Sequence, residues 1–285
     1  MILPHLRTAG AIALIATMVV FPAQAQAQVP AAAIKPTEVI KLFDGKSLAN
    51  FEGWLVDHHS TDPERVFTVV DQIDGAPAIR ISGKVWGGLL TKDAYRDYRL
   101  VVEFRWGGAT WGNRMARARD SGVLLHAQGR LGNTGKDFNG PWLRSIEFQI
   151  IEGGVGDILP VAGYADDGAQ IRPAVTTTTR KDRDGEIVYD EKGTSSVVSS
   201  GRINWWGRSE DWADRIGFRG AQDVESPGLE WTRIEAVVEG GKLTYYVNGT
   251  LVNAASDSTF KEGRIMIQSE GAEIYFRRIE LQPLR

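Results

Sequence analysis

The stretch Thr232–Ala255, TRIEAVVEGGKLTYYVNGTLVNAA, decides the fold because its pattern predicts three consecutive β-strands. Apolar and polar residues alternate through TRIEAVV and KLTYYV, and a period of two is typical of strands that bury one face. Gly240-Gly241 and Asn248-Gly249 separate the strands, and such dipeptides favour tight hairpin turns. The stretch therefore predicts an antiparallel meander.

The same alternation recurs on both sides of this stretch, from Pro36 to the end of the chain. It predicts further strands at Val66–Val70, Ala78–Ser82, Tyr98–Trp106, Gly122–Ala127, Ser145–Ile151, Arg264–Gln268 and Glu273–Leu281. The polar segment Val175–Gly193 is expected to form a long hairpin, and the Trp-rich segment Ile203–Gly220 an ordered loop. Neither a sustained helical period nor a linker interrupts this pattern. We expect one all-β sandwich of two antiparallel sheets over residues 37–285, in which the last strands close on the first.

Composition and charge exclude several classes of partner. The formal net charge is −3, with 42% hydrophobic and 24% charged residues, which gives no electrostatic basis for binding nucleic acid or an acidic membrane surface. The chain has no cysteine, so disulfides and Cys-based metal or redox centres are excluded. Its nine Trp and 32 Gly residues suit an aromatic-lined groove and tight turns.

The N-terminus has the pattern of a secretory signal peptide. Arg7 precedes an apolar run from Ala9 to Phe21, and Ala23–Ala27 (AQAQA) offers two overlapping A-x-A cleavage motifs. The run is shorter than the roughly 20 residues of a membrane-spanning helix, so an uncleaved anchor is the less favoured alternative and no stable membrane span is expected. We predict a signal peptide over residues 1–27, a flexible lead-in over 28–36, and a periplasmic or secreted mature protein.

Alternation also separates the two faces of each strand. In the strand Ser145–Ile151 the even-numbered residues are apolar, whereas Glu147 and Gln149 share the other face. In the strand Gly122–Ala127 the same reasoning places His126 on the polar face. Simple solvation is one explanation for such faces. The scarcity of Lys in the central strands, and the frequency of Glu, Gln, Arg and aromatic residues, favour a sugar-binding groove instead.

The stretch EFQIIE, from Glu147 to Glu152, invites comparison with laminarinase-type β-glucanases, whose two catalytic glutamates lie in an E-x-D-x-x-E strand. Gln149 replaces the aspartate here. Five residues of separation place Glu147 and Glu152 on opposite faces of a regular strand unless a β-bulge intervenes. Glu152 is therefore expected to belong to the following glycine turn. Serine-hydrolase, P-loop, Rossmann and HExxH motifs do not occur in the sequence.

A closer resemblance runs from Leu42 to the C-terminus. Its motifs occur in order as LFDGKSLANFEGW (Leu42–Trp54), ARDSGVLLHA (Ala118–Ala127), RSIEFQIIEGGVGD (Arg144–Asp157), RINWWGR with GFRG, and the closing GRIMIQSEGAEIYFRRIEL. In these motifs the chain resembles the 3-keto-disaccharide hydrolase family. The resemblance implies a concanavalin A-like jelly-roll β-sandwich that acts on glycosides already oxidised at position 3 by a partner sugar oxidoreductase.

The chemistry implied by this family requires a base, a group that stabilises an enolate, and an acid for the leaving group. Glu147 is our candidate for the base, with His126 and Glu270 as the other catalytic candidates. A divalent cation held by Glu147 and His126 would also stabilise an enolate, although no spacing in the sequence identifies a metal site. The candidate substrate-binding residues are Arg105, Gln149, Trp206, Gln268, Tyr275 and Arg277.

Two other functions fit the same fold, because a fold does not dictate an activity. One is a non-catalytic, lectin-like carbohydrate-binding module, and the other is a conventional endo-β-glucanase. A pure binding module needs aromatic and amide groups but no convergent glutamates. The sequence therefore favours an enzyme that cleaves 3-keto-glycosides over a module that only binds sugar.

Overall fold

The computed structural model describes residues 32–285. The strands are β1 (Ile40–Lys41), β2 (Phe51–Leu55), β3 (Phe67–Ile73), β4 (Ala76–Ile81), β5 (Gly87–Thr91), β6 (Tyr98–Thr110), β7 (Asp120–Gln128), β8 (Arg144–Ile151), β9 (Ile158–Val161), β10 (Gly163–Tyr164), β11 (Gln170–Ile171), β12 (Val175–Lys181), β13 (Ile187–Tyr189), β14 (Thr194–Val198), β15 (Thr232–Glu239), β16 (Lys242–Val247), β17 (Thr250–Ala255), β18 (Arg264–Ser269) and β19 (Ala272–Pro283). A short 3-10 helix, Gly112–Arg114, lies between β6 and β7.

Two large antiparallel sheets contain most of these strands. The eight-stranded sheet has the order β17-β16-β15-β6-β19-β4-β3, with β1 paired to β19. The six-stranded sheet has the order β2-β5-β18-β7-β8-β9. The last two strands pair with early ones, β19 with β4 and β18 with β5, as the sequence predicts. The structure confirms the all-β jelly-roll sandwich of two antiparallel sheets.

The apolar faces of both sheets enclose one core. Ile146, Phe148 and Ile150 of β8 are buried in it, which confirms the predicted alternation of this strand. Phe148 stacks on Tyr245 of β16, with ring centroids 4.1 Å apart. Because β8 and β16 belong to different sheets, this aromatic contact joins the two layers. An aromatic side chain buries roughly 150–250 Å², so such contacts contribute strongly to the hydrophobic stabilisation of the sandwich.

The predicted turns are present. Gly240 and Gly241 connect β15 to β16, and Asn248-Gly249 connects β16 to β17. Asn248 and Gly249 both have positive φ, 48° and 84°, as a type I′ hairpin turn requires. Gly271, with φ 77°, joins β18 to β19. These two strands lie in different sheets, so this turn carries the chain from one layer to the other.

The segments outside the two large sheets also follow the sequence predictions. The polar segment Val175–Gly193 forms β12 and β13, which belong to a three-stranded sheet of order β13-β12-β14. The Trp-rich segment Ile203–Gly220 is an ordered loop. One of its attachments is the indole N–H of Trp212, which donates to the carbonyl oxygen of Glu152 at 2.8 Å. This loop therefore packs against the turn that follows β8.

The predicted signal peptide, residues 1–27, lies outside the described residues. Part of the lead-in that we predicted to be flexible is attached to the sandwich. Ile34 donates its backbone N–H to the carbonyl of Ala94 at 2.8 Å and accepts from the N–H of Arg96 at 3.0 Å. Among the described residues, no helix has the length and hydropathy needed to cross a membrane.

Candidate active site

The candidate site lies on the outer face of the six-stranded sheet, opposite the core. Glu147 and Gln149 of β8 share this face, as the alternation predicts. A row of paired residues crosses the sheet here: Gln149 pairs with Gly122 of β7, and Gln268 of β18 pairs with Gly88 of β5. The row therefore places two side-chain amides on β8 and β18, the strands on either side of β7, with Gly122 of β7 between them.

Gly122 makes room for the two polar side chains above it. A Cβ at this position would lie 2.4 Å from Oε1 of Glu147 and 2.4 Å from Oε1 of Gln268. Real Cβ atoms do not approach oxygen that closely, so the absence of a side chain lets the carboxyl group and the amide meet over β7. The glycine thus sets the position of the carboxyl group.

Three buried carboxyl groups form the centre of the site. Glu147, Asp120 and Glu270 are 4%, 2% and 8% exposed. Burial raises the pKa of Glu147 to about 8, and the nearby charge of Asp120 adds to the rise. Burial also raises the pKa of Asp120 to about 6 and that of Glu270 well above its ordinary value. Raised pKa values of this kind bring carboxyl groups into the range in which they can transfer protons, which is typical of catalytic sites.

Two arginines place positive charge next to these carboxyl groups. Arg114, from the 3-10 helix, donates to Asp120 and lies 3.5 Å from Oε1 of Glu270. Arg202 binds Oδ2 of Asp157 at 3.0 Å. Burial lowers the pKa of Arg202, but the charges of Asp157, Asp120 and Glu147 outweigh this effect and raise it overall. The Arg202 guanidinium therefore stays charged near the cluster, and Arg114 contacts two of its carboxyl groups.

Asp157 holds the side chains of Arg202 and Arg208 in place. It is fully buried, and its Oδ1 accepts from the backbone N–H of Trp205 at 2.7 Å. Its Oδ2 accepts from both Arg202 and Arg208. One carboxylate thereby orients two guanidinium groups and attaches the Trp-rich loop to the sheet. Charge-assisted bonds of this kind are stronger than neutral ones.

Several polar atoms in the site have no partner in the described chain. They are Oε1 of Gln149, Oε1 and Nε2 of Gln268, and Oδ1 of Asn204, all of them buried. Buried polar groups are normally hydrogen-bonded, because an unmade bond costs about 1–3 kcal/mol. Such a concentration of unmatched donors and acceptors is typical of a site that binds a polar ligand.

A cavity of about 370 Å³ lies next to Arg202 and Arg208. Its lining consists of Gly185, Glu186, Ile187, Arg202, Asn204, Arg208 and Trp212. Arg202 belongs to both the cavity and the cluster. The rings of Trp86 and Trp142 stack with centroids 5.6 Å apart, and Trp142 packs against an apolar patch that includes Met266 and Leu124, the residue of β7 that pairs with Glu147. The site therefore combines polar and aromatic surface.

Comparison with known proteins assigns the family. The sequence profile of a family described as "3-keto-alpha-glucoside-1,2-lyase-like domain" matches residues 38–282. The chain belongs to this family. The match covers both large sheets and every residue of the carboxyl cluster. A search of curated protein sequences found no match.

Solved structures resemble the chain in fold alone. Two crystal structures from Parabacteroides distasonis ATCC 8503, both assigned as glycosyl hydrolases, have TM-scores of 0.47 and 0.45 at 14% and 18% identity. The alignments cover 87% of this chain in each case, and 94% and 100% of the two proteins. A β-glucanase from Bacillus licheniformis has a TM-score of 0.40 at 10% identity, covering 86% of this chain and 97% of that one.

The metal site considered from the sequence is not formed by the described residues. Within residues 32–285, no group of three or more His, Asp or Glu side chains is arranged to hold a metal ion. The two residues that we considered as metal ligands, Glu147 and His126, lie on opposite faces of the sheet. They therefore cannot bind the same ion.

His126 lies on the core face, contrary to the predicted alternation. A β-bulge interrupts the pairing of β7 with β8 after Leu125, and His126 has a φ of 55°. The bulge turns the imidazole inward, where Nδ1 is 2.9 Å from the carbonyl oxygen of Phe260 and the ring packs edge-on against Tyr98. Burial lowers the pKa of His126 to about 4. It remains neutral at physiological pH and does not reach the carboxyl cluster.

Three predicted substrate-binding residues lie on the other sheet. Arg105 belongs to β6, and Tyr275 and Arg277 to β19, and both strands are in the eight-stranded sheet. Their polar face points away from the core on the opposite side of the sandwich. Arg105 pairs there with Asp74, and the guanidinium of Arg277 lies 4.3 Å from the ring centre of Trp231. The predicted convergence of these three residues with Glu147 was therefore wrong.

The remaining predicted residues also have defined places. Gln149, Gln268 and Glu270 share the outer face with Glu147. Trp206 lies elsewhere, with a ring that is 41% exposed and an indole N–H that donates to the carbonyl of Leu251. Glu152 belongs to the turn after β8, as expected, and forms an ion pair with Arg119 at 2.7 Å.

Besides Arg114 of the 3-10 helix, sequence reasoning missed four residues that complete the site: Asp120, Gly122, Asp157 and Arg202. One signal was available. Gly122 lies in the interior of a strand pattern, and a glycine there indicates close approach of another group. Asp120 is in phase with Gly122, two residues away on the same face. The two remaining residues lie in loops, and no periodicity connects them to Glu147.

Gly122→Ala is expected to lower the activity of the site by about 10²-fold, because displacing a catalytic group by about 1 Å has an effect of this size. The added methyl group forces the Glu147 carboxyl and the Gln268 amide apart. Gly108→Ala is the matched control, since a Cβ there meets nothing within 4 Å. Turnover and thermal unfolding of both variants test this expectation. Equal turnover in the two variants would contradict it.

Proposed function

We propose that this protein cleaves 3-keto-glycosides by removing the proton at C2, next to the ketone, and expelling the substituent at C1. Family membership supports a carbohydrate-active function, and the description of the family names a lyase of 3-keto-α-glucosides. The observation that carries the proposal is the buried Glu147 carboxyl group with its raised pKa, placed beside unpartnered amides and a charged arginine. This arrangement suits proton transfer at carbon.

Glu147 acts as the base in the first step. A ketone at C3 acidifies the C2–H bond, and the ionised Glu147 takes this proton while the bonding electrons form a C2=C3 enolate. Negative charge develops on the oxygen at C3. Arg202 supplies positive charge near Glu147, and the side-chain amide of Gln268, which interacts with the Glu147 carboxyl group, can donate to the enolate oxygen. Preorganised donors of this type are the main source of stabilisation for such intermediates.

Glu270 acts as the acid in the second step. The enolate re-forms the ketone, a C1=C2 double bond forms, and the C1–O bond breaks. The leaving oxygen receives a proton from Glu270, which is neutral at this stage because burial and its acidic neighbours raise its pKa. If water then adds across C1=C2, its hydroxyl goes to C1, its proton goes to the ionised Glu270, and the proton held by Glu147 goes to C2, so the net reaction is hydrolysis. Without that step the reaction is an elimination.

The pH dependence follows from the pKa of Glu147. The base is active when ionised, so kcat/KM is expected to rise about tenfold per pH unit up to about pH 8. Asp120→Asn removes a negative charge that raises this pKa. The ascending limb is therefore expected to move to lower pH in that variant. A pH profile of kcat/KM for both proteins checks this, and an unshifted limb would exclude Glu147 as the titrating group.

Comparing an oxidised and an unoxidised substrate tests the function itself. The protein is incubated with a 3-keto-α-glucoside and with its parent glucoside, and the released aglycone is measured. Cleavage of the keto form alone is expected, together with deuterium exchange at C2 in heavy water. Cleavage of the parent would identify a conventional glycosidase, and binding without cleavage a lectin-like module. Either outcome would reject the proposal.

Two further parts of the proposal concern the cellular setting. The N-terminal pattern supports export to the periplasm or the medium, and fusion of residues 1–36 to a reporter enzyme tests it.

The substrate must come from an oxidoreductase that converts the 3-hydroxyl of a glycoside to a ketone. Supplying the protein with a glycoside and such an oxidoreductase together is expected to release the aglycone, whereas neither protein alone should do so.

A further inference from the structure

A second cavity, of about 420 Å³, lies beside β13 and the outermost strand β17. Its lining consists of Arg180, Tyr189, Asp190, Glu191, Trp206 and Leu251. None of these residues lines the cavity next to Glu147. The volume falls within the range of about 300–1,000 Å³ that is common for small-molecule sites. The mechanism proposed above makes no use of this cavity.

Trp206 presents an aromatic surface to the cavity. Its indole N–H donates to the carbonyl of Leu251 at 2.7 Å, and its backbone N–H donates to that of Val252 at 3.3 Å. These bonds fix the indole along the edge of β17. Trp206 as a residue is nevertheless 41% exposed, whereas its neighbour Trp205 is 1% exposed and lies in the core. A large aromatic ring that is held rigidly and left open to solvent offers binding surface at low entropic cost.

The polar residues around Trp206 are available for hydrogen bonding. Arg180 lies 4.0 Å from Asp190 and 3.9 Å from Glu210, both long distances for an ion pair. The side chains of Arg180 and Asp190 are 43% and 35% exposed. Pairs this long and this exposed contribute little, so the Arg180 guanidinium and Oδ2 of Asp190 can turn to a ligand, whereas Oδ1 of Asp190 accepts from the backbone N–H of Lys192 at 2.9 Å. The cavity therefore offers donors and acceptors in planar groups around one aromatic face.

We propose that this cavity is a second carbohydrate-binding site, in which a neutral sugar ring stacks on Trp206. The apolar C–H face of a sugar ring matches the indole, and its hydroxyl groups match Arg180, Asp190 and Glu191. Charges of both signs line the cavity, which disfavours a strongly anionic or cationic ligand. This site binds sugar without cleaving it, because it contains no buried carboxyl cluster.

Equilibrium binding of unoxidised oligosaccharides tests the proposal. Cellotetraose and maltotetraose are the probes, titrated by calorimetry against the full chain. At least one of them is expected to bind, and Trp206→Ala is expected to weaken that binding by about tenfold, or about 1.4 kcal/mol. Trp206→Phe keeps an aromatic face and should retain most of the affinity. Val197→Ala, at an exposed residue of neighbouring β14, is the control and should bind like the parent protein.

The outcomes are distinct from those of the catalytic proposal, because binding is measured without turnover. Failure of both sugars to bind the parent protein would overturn the second site. Unchanged binding in Trp206→Ala would also overturn it, since the sugar would then be bound elsewhere. If Trp206→Ala does not fold, as judged by circular dichroism, two other variants take its place. One is the single variant Trp206→Leu, and the other is the double variant Arg180→Ala/Asp190→Ala. Retained affinity in those variants counts against the proposal.

Discussion

Glu147→Gln is expected to lower kcat/KM toward a 3-keto-glucoside by about 10³-fold, within the roughly 10²–10⁴-fold contribution of a general base. Glutamine has the same shape and occupies the same place over Gly122, but it has no basic oxygen to accept the C2 proton. Substrate binding should change less than turnover, since the amide still forms hydrogen bonds. Initial rates across a range of substrate concentrations separate kcat from KM.

The same substitution makes a prediction about stability. The pKa of Glu147 is about 8 in the folded protein, against an ordinary value of 4.5. A group with a raised folded pKa stabilises the fold fully below its unfolded pKa and loses that contribution as pH rises through the folded pKa. The parent protein should therefore lose stability between about pH 4.5 and pH 8 relative to Glu147→Gln. Thermal unfolding of both proteins at pH 5 and pH 8.5 measures this.

Glu280→Gln is the matched control for Glu147→Gln. Glu280 lies on β19 of the other sheet, where it forms an ion pair with Arg278 at 2.5 Å. The turnover of the Glu280→Gln variant is expected to equal that of the parent protein. Near-normal turnover in Glu147→Gln would show that another group removes the proton. Loss of activity accompanied by loss of folding would instead assign Glu147 a structural role.

Local periodicity predicted the strands well, because each needs only its own alternation and turn residues. β16 and β8 are recognisable from one apolar residue in every two. The strand Gly87–Thr91 was missed, since all five of its residues are buried and no alternation remains to be detected. β9 was missed for a similar reason, as it is short and contains Pro160. Burial on both faces and short length remove the signal on which the method depends.

Periodicity identifies the face of a strand but not the sheet to which the strand belongs. Glu147 on β8 and Gln268 on β18 belong to the same sheet, where only β7 separates the two strands. Their predicted convergence is therefore correct. Arg105 and Tyr275 alternate equally well, yet their strands belong to the other sheet. His126 fails for a different reason, because a bulge of one extra residue reverses the face of everything after it until pairing resumes. Sheet membership and bulges depend on long-range pairing.

Apart from Asp120 on β7, the charges around Glu147 come from loops, turns and the short 3-10 helix, which explains why the sequence did not predict them. Arg202 and Asp157 are 45 residues apart, and Arg114 and Glu270 are 156 apart. No local pattern relates such residues. The carboxyl group of Glu147 was identifiable because it lies in a strand, whereas its environment depends on how loops fold over the sheet. Catalytic groups on strands are therefore more predictable here than the residues that set their pKa.

Asp157→Ala is expected to destabilise the protein by about 3–5 kcal/mol, the usual result of removing one partner from a buried ion pair. Arg208 is only 5% exposed and would keep a charge with no buried partner. Trp205 would also lose the acceptor of its backbone N–H. A domain of this size loses about 2–4 °C per kcal/mol, so the Tm should fall by about 10 °C. Calorimetry or circular dichroism measures the change.

A double substitution separates the charge effect from the loss of packing. In Asp157→Ala with Arg208→Met, no unpaired guanidinium remains at position 208, so part of the lost stability should return. Arg208→Met alone leaves Asp157 paired with Arg202 at 3.0 Å and should cost less than Asp157→Ala. Asp190→Ala, at a partly exposed residue, is the control and should leave the Tm within about 2 °C. If Asp157→Ala and the double variant unfold at the same temperature, the unpaired charge of Arg208 does not cause the loss of stability. The hydrogen bond from the backbone N–H of Trp205 to Asp157 would then account for it.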